Sequence, residues 1–247
     1  MRVAAVIPAR YESTRLPGKP LADICGRPMV WWVHRQVCRA PGIDEACVAT
    51  DSVEVAEACG EYGIPVVMTS EGCKTSTERV LEASASIDAD VYVCVNGDEP
   101  LIDPEAVAAV VPGSLEGFFA ANLMTEVRSP AEAVDGSNIK VVTDRSGNAL
   151  FMSRAPIPHP KASLGFAYRK HVGVLAYTRE ALRSFAEAPR GANELVEDVN
   201  ELRFIENGMP LRMVEVASDS LSVDTQKDLD LVRSVIEERI AKGEITL

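Results

Sequence analysis

Val3-Ala4-Ala5-Val6-Ile7-Pro8-Ala9-Arg10-Tyr11-Glu12-Ser13-Thr14-Arg15-Leu16-Pro17-Gly18-Lys19-Pro20 is the stretch that decides the fold. Val3–Ile7 is an unbroken apolar run of buried-strand length, closed by Pro8, and a polar loop rich in Arg, Gly and Pro follows. Pro28 to Arg39 then has helical periodicity, and the pattern repeats. Cys47–Thr50 reads as a strand, Val53–Glu61 as a helix, Ile64–Met68 as a strand, Thr75 to Ala85 as a helix and Val91–Val95 as a strand. Continuous apolar strands alternating with helices imply a parallel sheet covered on both faces. The first half is therefore a doubly wound α/β unit.

The second half is mixed. Phe118–Leu123, Ile139–Thr143, Ala149–Met152, Val172–Tyr177 and Leu211–Val216 read as strands, and Asp144-Arg145-Ser146-Gly147-Asn148 as a hairpin connection. Glu194 to Glu206 reads as one helix stopped at Asn207-Gly208, and a last helix starts near Asp224-Thr225 and runs towards Ala241. With no repeat, linker or heptad, the expected fold class is α/β: a mostly parallel mixed sheet with helices on both faces and a β-rich second half. One domain is expected over residues 1–247, divisible into 1–117 and 118–247.

Composition narrows the function. The 247 residues carry 25 basic and 37 acidic side chains, a net charge of −12. That excludes a broad basic surface for duplex nucleic acid or anionic lipid, though not one local basic pocket. No stretch approaches the roughly 18 apolar residues of a membrane span, and no signal segment is recognisable. All six cysteines fall within the first 94 residues without a C-x-x-C pair, so they read as free thiols in a reducing cytoplasm. The three histidines have no zinc-like spacing.

In open parallel sheets ligands bind beyond the carboxyl ends of the strands. After the first strand, Arg10, Arg15 and Lys19 supply cations, Ser13 and Thr14 hydroxyls and Gly18 an unhindered amide, a set suited to a polyphosphate. It is not a P-loop, because Pro20 follows Gly18-Lys19, and no G-x-G-x-x-G occurs. The plainer reading is a solvated basic loop. After Val91–Val95 comes Asn96-Gly97-Asp98-Glu99-Pro100, where a carboxylate could hold Mg²⁺ or merely precede a helix at Pro104. Ser222-Val223-Asp224-Thr225 offers a second acid, with Asp224 or Thr225 equally suited to cap the last helix. Small hydroxyl residues between Met68 and Arg79 could read a base and ribose, or Ser76 or Thr77 could cap. Arg154, Lys170 and His171 bring cations fit for an acidic acceptor.

Together these segments resemble the 3-deoxy-manno-octulosonate (Kdo) cytidylyltransferases over nearly the whole chain. The resemblance is carried by Ile7-Pro8-Ala9-Arg10-Tyr11 and Arg15-Leu16-Pro17-Gly18-Lys19-Pro20-Leu21. Val48-Ala49-Thr50-Asp51, Met68-Thr69, Thr77-Glu78-Arg79, Gly97-Asp98-Glu99-Pro100, Ser153-Arg154, His171-Val172-Gly173 and Val223-Asp224-Thr225 follow in family order. The resemblance implies a nucleotide-diphospho-sugar transferase-like fold, a homodimer joined through the second half, and transfer of CMP from CTP to an acidic sugar. The product, CMP-Kdo, would feed lipopolysaccharide biosynthesis. It implies Mg²⁺ on Asp98 and Asp224, with Arg10, Lys19, Asp98 and Asp224 catalytic. It implies that Pro8, Ala9, Arg10, Ser13, Arg15, Lys19, Thr75, Arg79, Asn96 and Asp98 meet the nucleotide. Arg154, His171, Tyr177, Glu201 and Asn96 would meet the sugar acid.

The chain departs from the family pattern at three places. Asn96 stands where Gln is usual, Cys73-Lys74-Thr75-Ser76-Thr77 replaces His-x-Ser-Gly-Thr, and Asn200-Glu201-Leu202-Arg203 replaces Glu-Gln-Leu-Arg. A carboxylate at Glu201 would repel an anionic sugar unless Lys or Arg pairs with it or the substrate carries an amine. The rival readings are another anionic acceptor (an amino-Kdo, a nonulosonic acid or a phosphonate), a non-catalytic nucleotide binder, and a sugar-1-phosphate nucleotidyltransferase.

Overall fold

Alternate residues of the first strand face two different cores, as a sheet buried on both sides requires. The computed structural model describes residues 1–12, 15–162, 165–217 and 220–245. Its strands are β1 (Val3–Pro8), β2 (Asp23–Ile24), β3 (Arg27–Pro28), β4 (Glu45–Thr50), β5 (Val66–Met68), β6 (Val91–Val95), β7 (Ala120–Glu126), β8 (Lys140–Thr143), β9 (Ala149–Ser153), β10 (Arg169–Thr178) and β11 (Arg212–Glu215). Its helices are α1 (Met29–Val37), α2 (Val53–Glu61), α3 (Ser76–Ser84), α4 (Pro104–Ala109), α5 (Pro130–Val134), α6 (Arg179–Glu187), α7 (Ala192–Glu197), α8 (Leu202–Glu206) and α9 (Gln226–Ala241).

Strands lie in the order β11-β7-β10-β6-β1-β4-β5. Along this path only β10 runs against its neighbours, so the sheet is mixed but mostly parallel. The start of β10 extends past β6 and pairs with β8, which forms the hairpin with β9 around Gly147. Val3, Ala5 and Ile7 pack with Val30 and Val33 of α1 and Val55 of α2, whereas Ala4 and Val6 pack with Val80 of α3, Leu182 of α6 and Phe204 of α8. A third core joins chain ends: Ile24, Met29 and Trp32 receive Val223, Leu229, Val232 and Ile236. The apolar face of α9 thus anchors the C-terminal segment beside the loop that follows β1.

Several details differ from the sequence reading, which also placed no helix at α5 or α6 and set the starts of β5 and β10 at Ile64 and Val172. The expected helix from Glu194 to Glu206 is two helices, α7 and α8, broken where Asp198 adopts a left-handed conformation with φ 51°. The strand expected at Phe118–Leu123 begins at Ala120 and runs on to Glu126. The short β2–β3 hairpin, unanticipated, turns through Cys25 and Gly26 at φ 52° and 81°. Two consecutive positive φ values give the tight turn whose twist suits a two-residue hairpin, usually signalled by Asn-Gly rather than Cys-Gly.

Candidate active site

The site lies beyond the carboxyl ends of β1 and β6. Gly97 lets these two strand ends meet: a Cβ there would sit 2.7 Å from the Pro8 carbonyl oxygen. Asp98 follows, and its carbonyl accepts from the Val223 amide at 2.9 Å, tying the segment before α9 to the end of β6. The consequence is convergence. Lys19 Nζ lies 2.6 Å from Asp98 Oδ2 and 3.2 Å from Asp224 Oδ1, and Arg15 approaches Asp224 Oδ1 at 2.9 Å. Residues 19, 98 and 224, far apart in sequence, form one charge cluster. Burial alone would lower the Lys19 pKa, but the Asp98 and Asp224 carboxylates more than reverse this and raise it. Lys19 is therefore a fixed cation.

The capping alternatives fall away. Asp103, not Asp98, caps α4 by accepting from the Glu105 amide, and Thr225, not Asp224, caps α9 in a reciprocal box with Asp228. Both acids are left to the charge cluster. Their hard oxygen donors suit a divalent cation, and among the described residues no group of three or more His, Cys, Asp or Glu is gathered into a metal cage. Two such carboxylates could hold a divalent cation whose other positions go to phosphate and water.

Other expected residues divide. Arg10 is exposed just past β1, with Pro8 and Ala9 at the same rim. Ser13 lies outside the described residues. Thr75 is the N-cap of α3, its hydroxyl accepting from the Glu78 amide while Glu78 returns the bond, so the expected caps Ser76 and Thr77 sit inside the helix. Arg79 is not an open nucleotide contact. It is buried, with one guanidinium nitrogen on Asp51 at 2.7 Å and the other on the Thr69 hydroxyl, so it struts the loops after β4 and β5. Tyr177 is also corrected from substrate contact to core residue: it is fully buried, bonded to the Thr77 hydroxyl at 3.1 Å and stacked on Phe204.

On the acceptor side, Asn96 stands at the end of β6, its amide donating to the Gly173 carbonyl of β10 at 2.9 Å. His171 Nδ1 faces Asn122 Oδ1 at 2.8 Å. The Asn122 Nδ2 group donates to the Val172 and Val174 carbonyls, both at 2.9 Å, where β10 bulges. Only an NH₂ can serve two carbonyls, so Oδ1 must accept and His171 Nδ1 must carry the proton. Burial lowers the His171 pKa, with Glu201 and Asp98 opposing and Arg154 assisting. The imidazole is neutral, with Nε2 an acceptor. Arg154 does not reach outward as a free cation: Nε donates to the Glu197 carbonyl, and its terminal nitrogens to those of Asp198 and Gly136. It captures carbonyls left over at the end of α7 and so holds the α7–α8 turn. Lys170 is paired with Glu132.

Sequence reasoning missed Asn122 and Glu197, whose carboxylate accepts from the Ser153 hydroxyl and the Arg154 amide. A lone Asn in the apolar run Phe118–Leu123 was the available signal for the first. Nothing local marks the second.

The family described as Cytidylyltransferase matches residues 4–215. The chain belongs to the cytidylyltransferase family. A 3-deoxy-manno-octulosonate cytidylyltransferase of Escherichia coli is 36% identical over 243 residues, covering 98% of this chain and 99% of that one. The corresponding protein of Syntrophotalea carbinolica is 42% identical, covering 93% and 96%. A solved structure of a CMP:2-keto-3-deoxy-manno-octonic acid synthetase complexed with CTP superposes with a TM-score of 0.89 at 36% identity, over 97% of this chain and all of the other. The chain is thus a nucleotidyltransferase of this family and has its mixed-sheet fold. Among the described residues no helix is long and apolar enough to cross a membrane.

Proposed function

We propose that this cytidylyltransferase moves CMP from CTP to the anomeric hydroxyl of an acidic sugar of the Kdo class, releasing pyrophosphate, with Mg²⁺ as its metal. The observation that carries the reading is the meeting of Lys19, Asp98, Asp224 and Arg15 at one rim of the sheet. Residues 1–117 supply the nucleotide side; residues 118–247 supply the acceptor side and, through Asp224, complete the metal site.

In this reaction the acceptor oxygen forms a bond to the α-phosphorus as the bond to the β-phosphate oxygen breaks. The hydroxyl proton is lost and pyrophosphate leaves. Charge builds on the phosphate oxygens, so catalysis is alignment plus neutralisation. Lys19, Arg15 and Arg10 bring positive charge to the triphosphate. Asp98 and Asp224 would hold Mg²⁺, which when bound offsets the charge on the leaving group. Neutral His171 offers Nε2 as an acceptor to a sugar hydroxyl. The free cysteines suit a cytoplasmic protein.

A homodimer through the second half accompanies this reading. Arg154 bridges the carbonyl of Gly136 to those of Glu197 and Asp198, so the ends of α5 and α7 are neighbours. They expose Val134 (71%) and Val196 (85%), apolar side chains with no cover in one chain.

The test is pyrophosphate release from CTP and UTP against a panel of acidic sugars, phosphonates and sugar phosphates. Release should require CTP, an acidic sugar and Mg²⁺, and stop on chelation. CTP binding without turnover on any acidic acceptor would contradict it, as would a preference for sugar phosphates.

A further inference from the structure

Across its bulge β10 carries more chain than β7: Val172 lies opposite Leu123, yet Leu175 lies opposite Asn122. Such a detour takes carbonyls out of the ladder, and a buried carbonyl needs a donor. Asn122 supplies it. The residue is wholly buried, and its Nδ2 donates to the Val172 and Val174 carbonyls at 2.9 Å each. On the other side of the bulge the Gly173 carbonyl accepts from the Asn96 amide at 2.9 Å. A Cβ on Gly173 would sit 2.8 Å from Asn96 Nδ2 and 3.1 Å from Glu99 Oε1, so the bulge is pressed against the segment that carries Asp98. His171 precedes Gly173 by two residues, roughly 7 Å back along the strand.

The remaining polar atom of Asn122 is spent on that histidine. Oδ1 accepts from His171 Nδ1 at 2.8 Å and closes that side of the ring, while His171 itself stays partly exposed. A ligand at the open edge therefore meets Nε2. The charged groups acting on the ring are Glu201, buried at the start of α8, Asp98 and Arg154. Both acids favour an imidazolium, whose Nε2 donates instead of accepting. A carboxylate at position 122 would add a third acid; the neutral amide takes the Nδ1 proton without that push. We infer that Asn122 is a positioning residue for the acceptor: it fixes the β10 bulge and the His171 tautomer together, so that Nε2 accepts from one hydroxyl of the sugar acid in register with Asp98. The inference rests on the cytidylyltransferase reading above and adds to it a residue that acts only through His171.

The experiment measures pyrophosphate release with CTP, Mg²⁺ and Kdo on the full chain, wild type, Asn122→Leu, His171→Ala and the double variant, with thermal melts to verify folding. Asn122→Leu should raise KM for Kdo about five- to tenfold, the value of one neutral hydrogen bond, and leave KM for CTP within about twofold. The double variant should lose little more than His171→Ala alone. Nitrogen-15 NMR should find Nδ1–H in wild type and a shift towards Nε2–H in Asn122→Leu. Equal rises in both KM values, or losses that multiply in full, would make Asn122 a purely structural residue and overturn the inference. If Asn122→Leu does not fold, Asn122→Ser keeps a hydroxyl for a bulge carbonyl while its shorter side chain withdraws from His171, and the same pattern is expected. An Nε2–H tautomer in wild type overturns the inference without any variant. Wild type that releases no pyrophosphate with any acidic sugar marks failure of the functional reading; release without the Kdo-specific effect marks failure of this inference alone.

Discussion

Asp224 and Thr225 are adjacent, yet the structure gives them separate work: Thr225 caps α9, and Asp224 faces Lys19 and Arg15. Thr225→Ala should therefore cost about 1 kcal/mol of stability with little loss of turnover. Asp224→Asn should melt within about 0.5 kcal/mol of wild type while losing on the order of a hundred- to a thousandfold in turnover. Thermal melts and steady-state pyrophosphate release check both; the opposite pairing of effects would return Asp224 to capping. His171 gives a second prediction. Because its pKa lies below the ordinary 6.5, an NMR titration should find the Nδ1–H tautomer neutral at pH 6.5, with its midpoint lower. The folded state then binds its proton less readily than the unfolded chain. Its contribution to stability is whole above about pH 6.5 and is lost as pH falls through the folded-state value. A midpoint at or above 6.5 would contradict the lowering by burial, and an Nε2–H neutral tautomer would contradict the Asn122 assignment.

At the scale of elements, a buried ion pair ties α7 to α8. Glu194 is fully buried and Arg203 is 3% exposed, and the Arg203 guanidinium also lies 4.0 Å over the Phe185 ring. Burial raises the Glu194 pKa, but Arg203 and Arg190 more than reverse this, so the carboxylate stays charged. Arg203→Met should destabilise the fold by about 3 kcal/mol, the lower end for breaking a buried pair, because Arg190 remains on Glu194. It should also weaken acceptor use more than CTP binding, since α7 and α8 lie in the second half, on the acceptor side; chemical denaturation and KM for each substrate test this. These elements also show what a sequence conveys. The strands β1, β4 and β6 were legible because burial on both faces forces unbroken apolar runs. The break at Asp198 and the turn at Cys25 were not, because each puts an ordinary L residue at positive φ, stabilised by contacts distant in sequence. Arg79 and Arg154 looked like open cations for the same reason: their partners, Asp51 and Glu197, lie 28 and 43 residues away.

Across the whole molecule, chain ends close the site. The core of Ile24, Met29 and Trp32 against Leu229, Val232 and Ile236 delivers Asp224 to a loop some two hundred residues earlier. The motifs at Lys19, Asp98 and Asp224 were readable singly; their meeting is a property of the packed sheet. The proposed dimer contact through the exposed Val134 and Val196 belongs to this scale too. Val196→Asp should shift sedimentation from dimer to monomer, and an unchanged mass would move the interface elsewhere. The most direct test of the charge cluster is a double-mutant cycle in turnover, Asp98→Asn with Asp224→Asn. If both acids serve one cation-bound triphosphate, the double variant loses little more than the worse single variant. Losses that multiply in full would show that the two carboxylates act independently and would contradict the account.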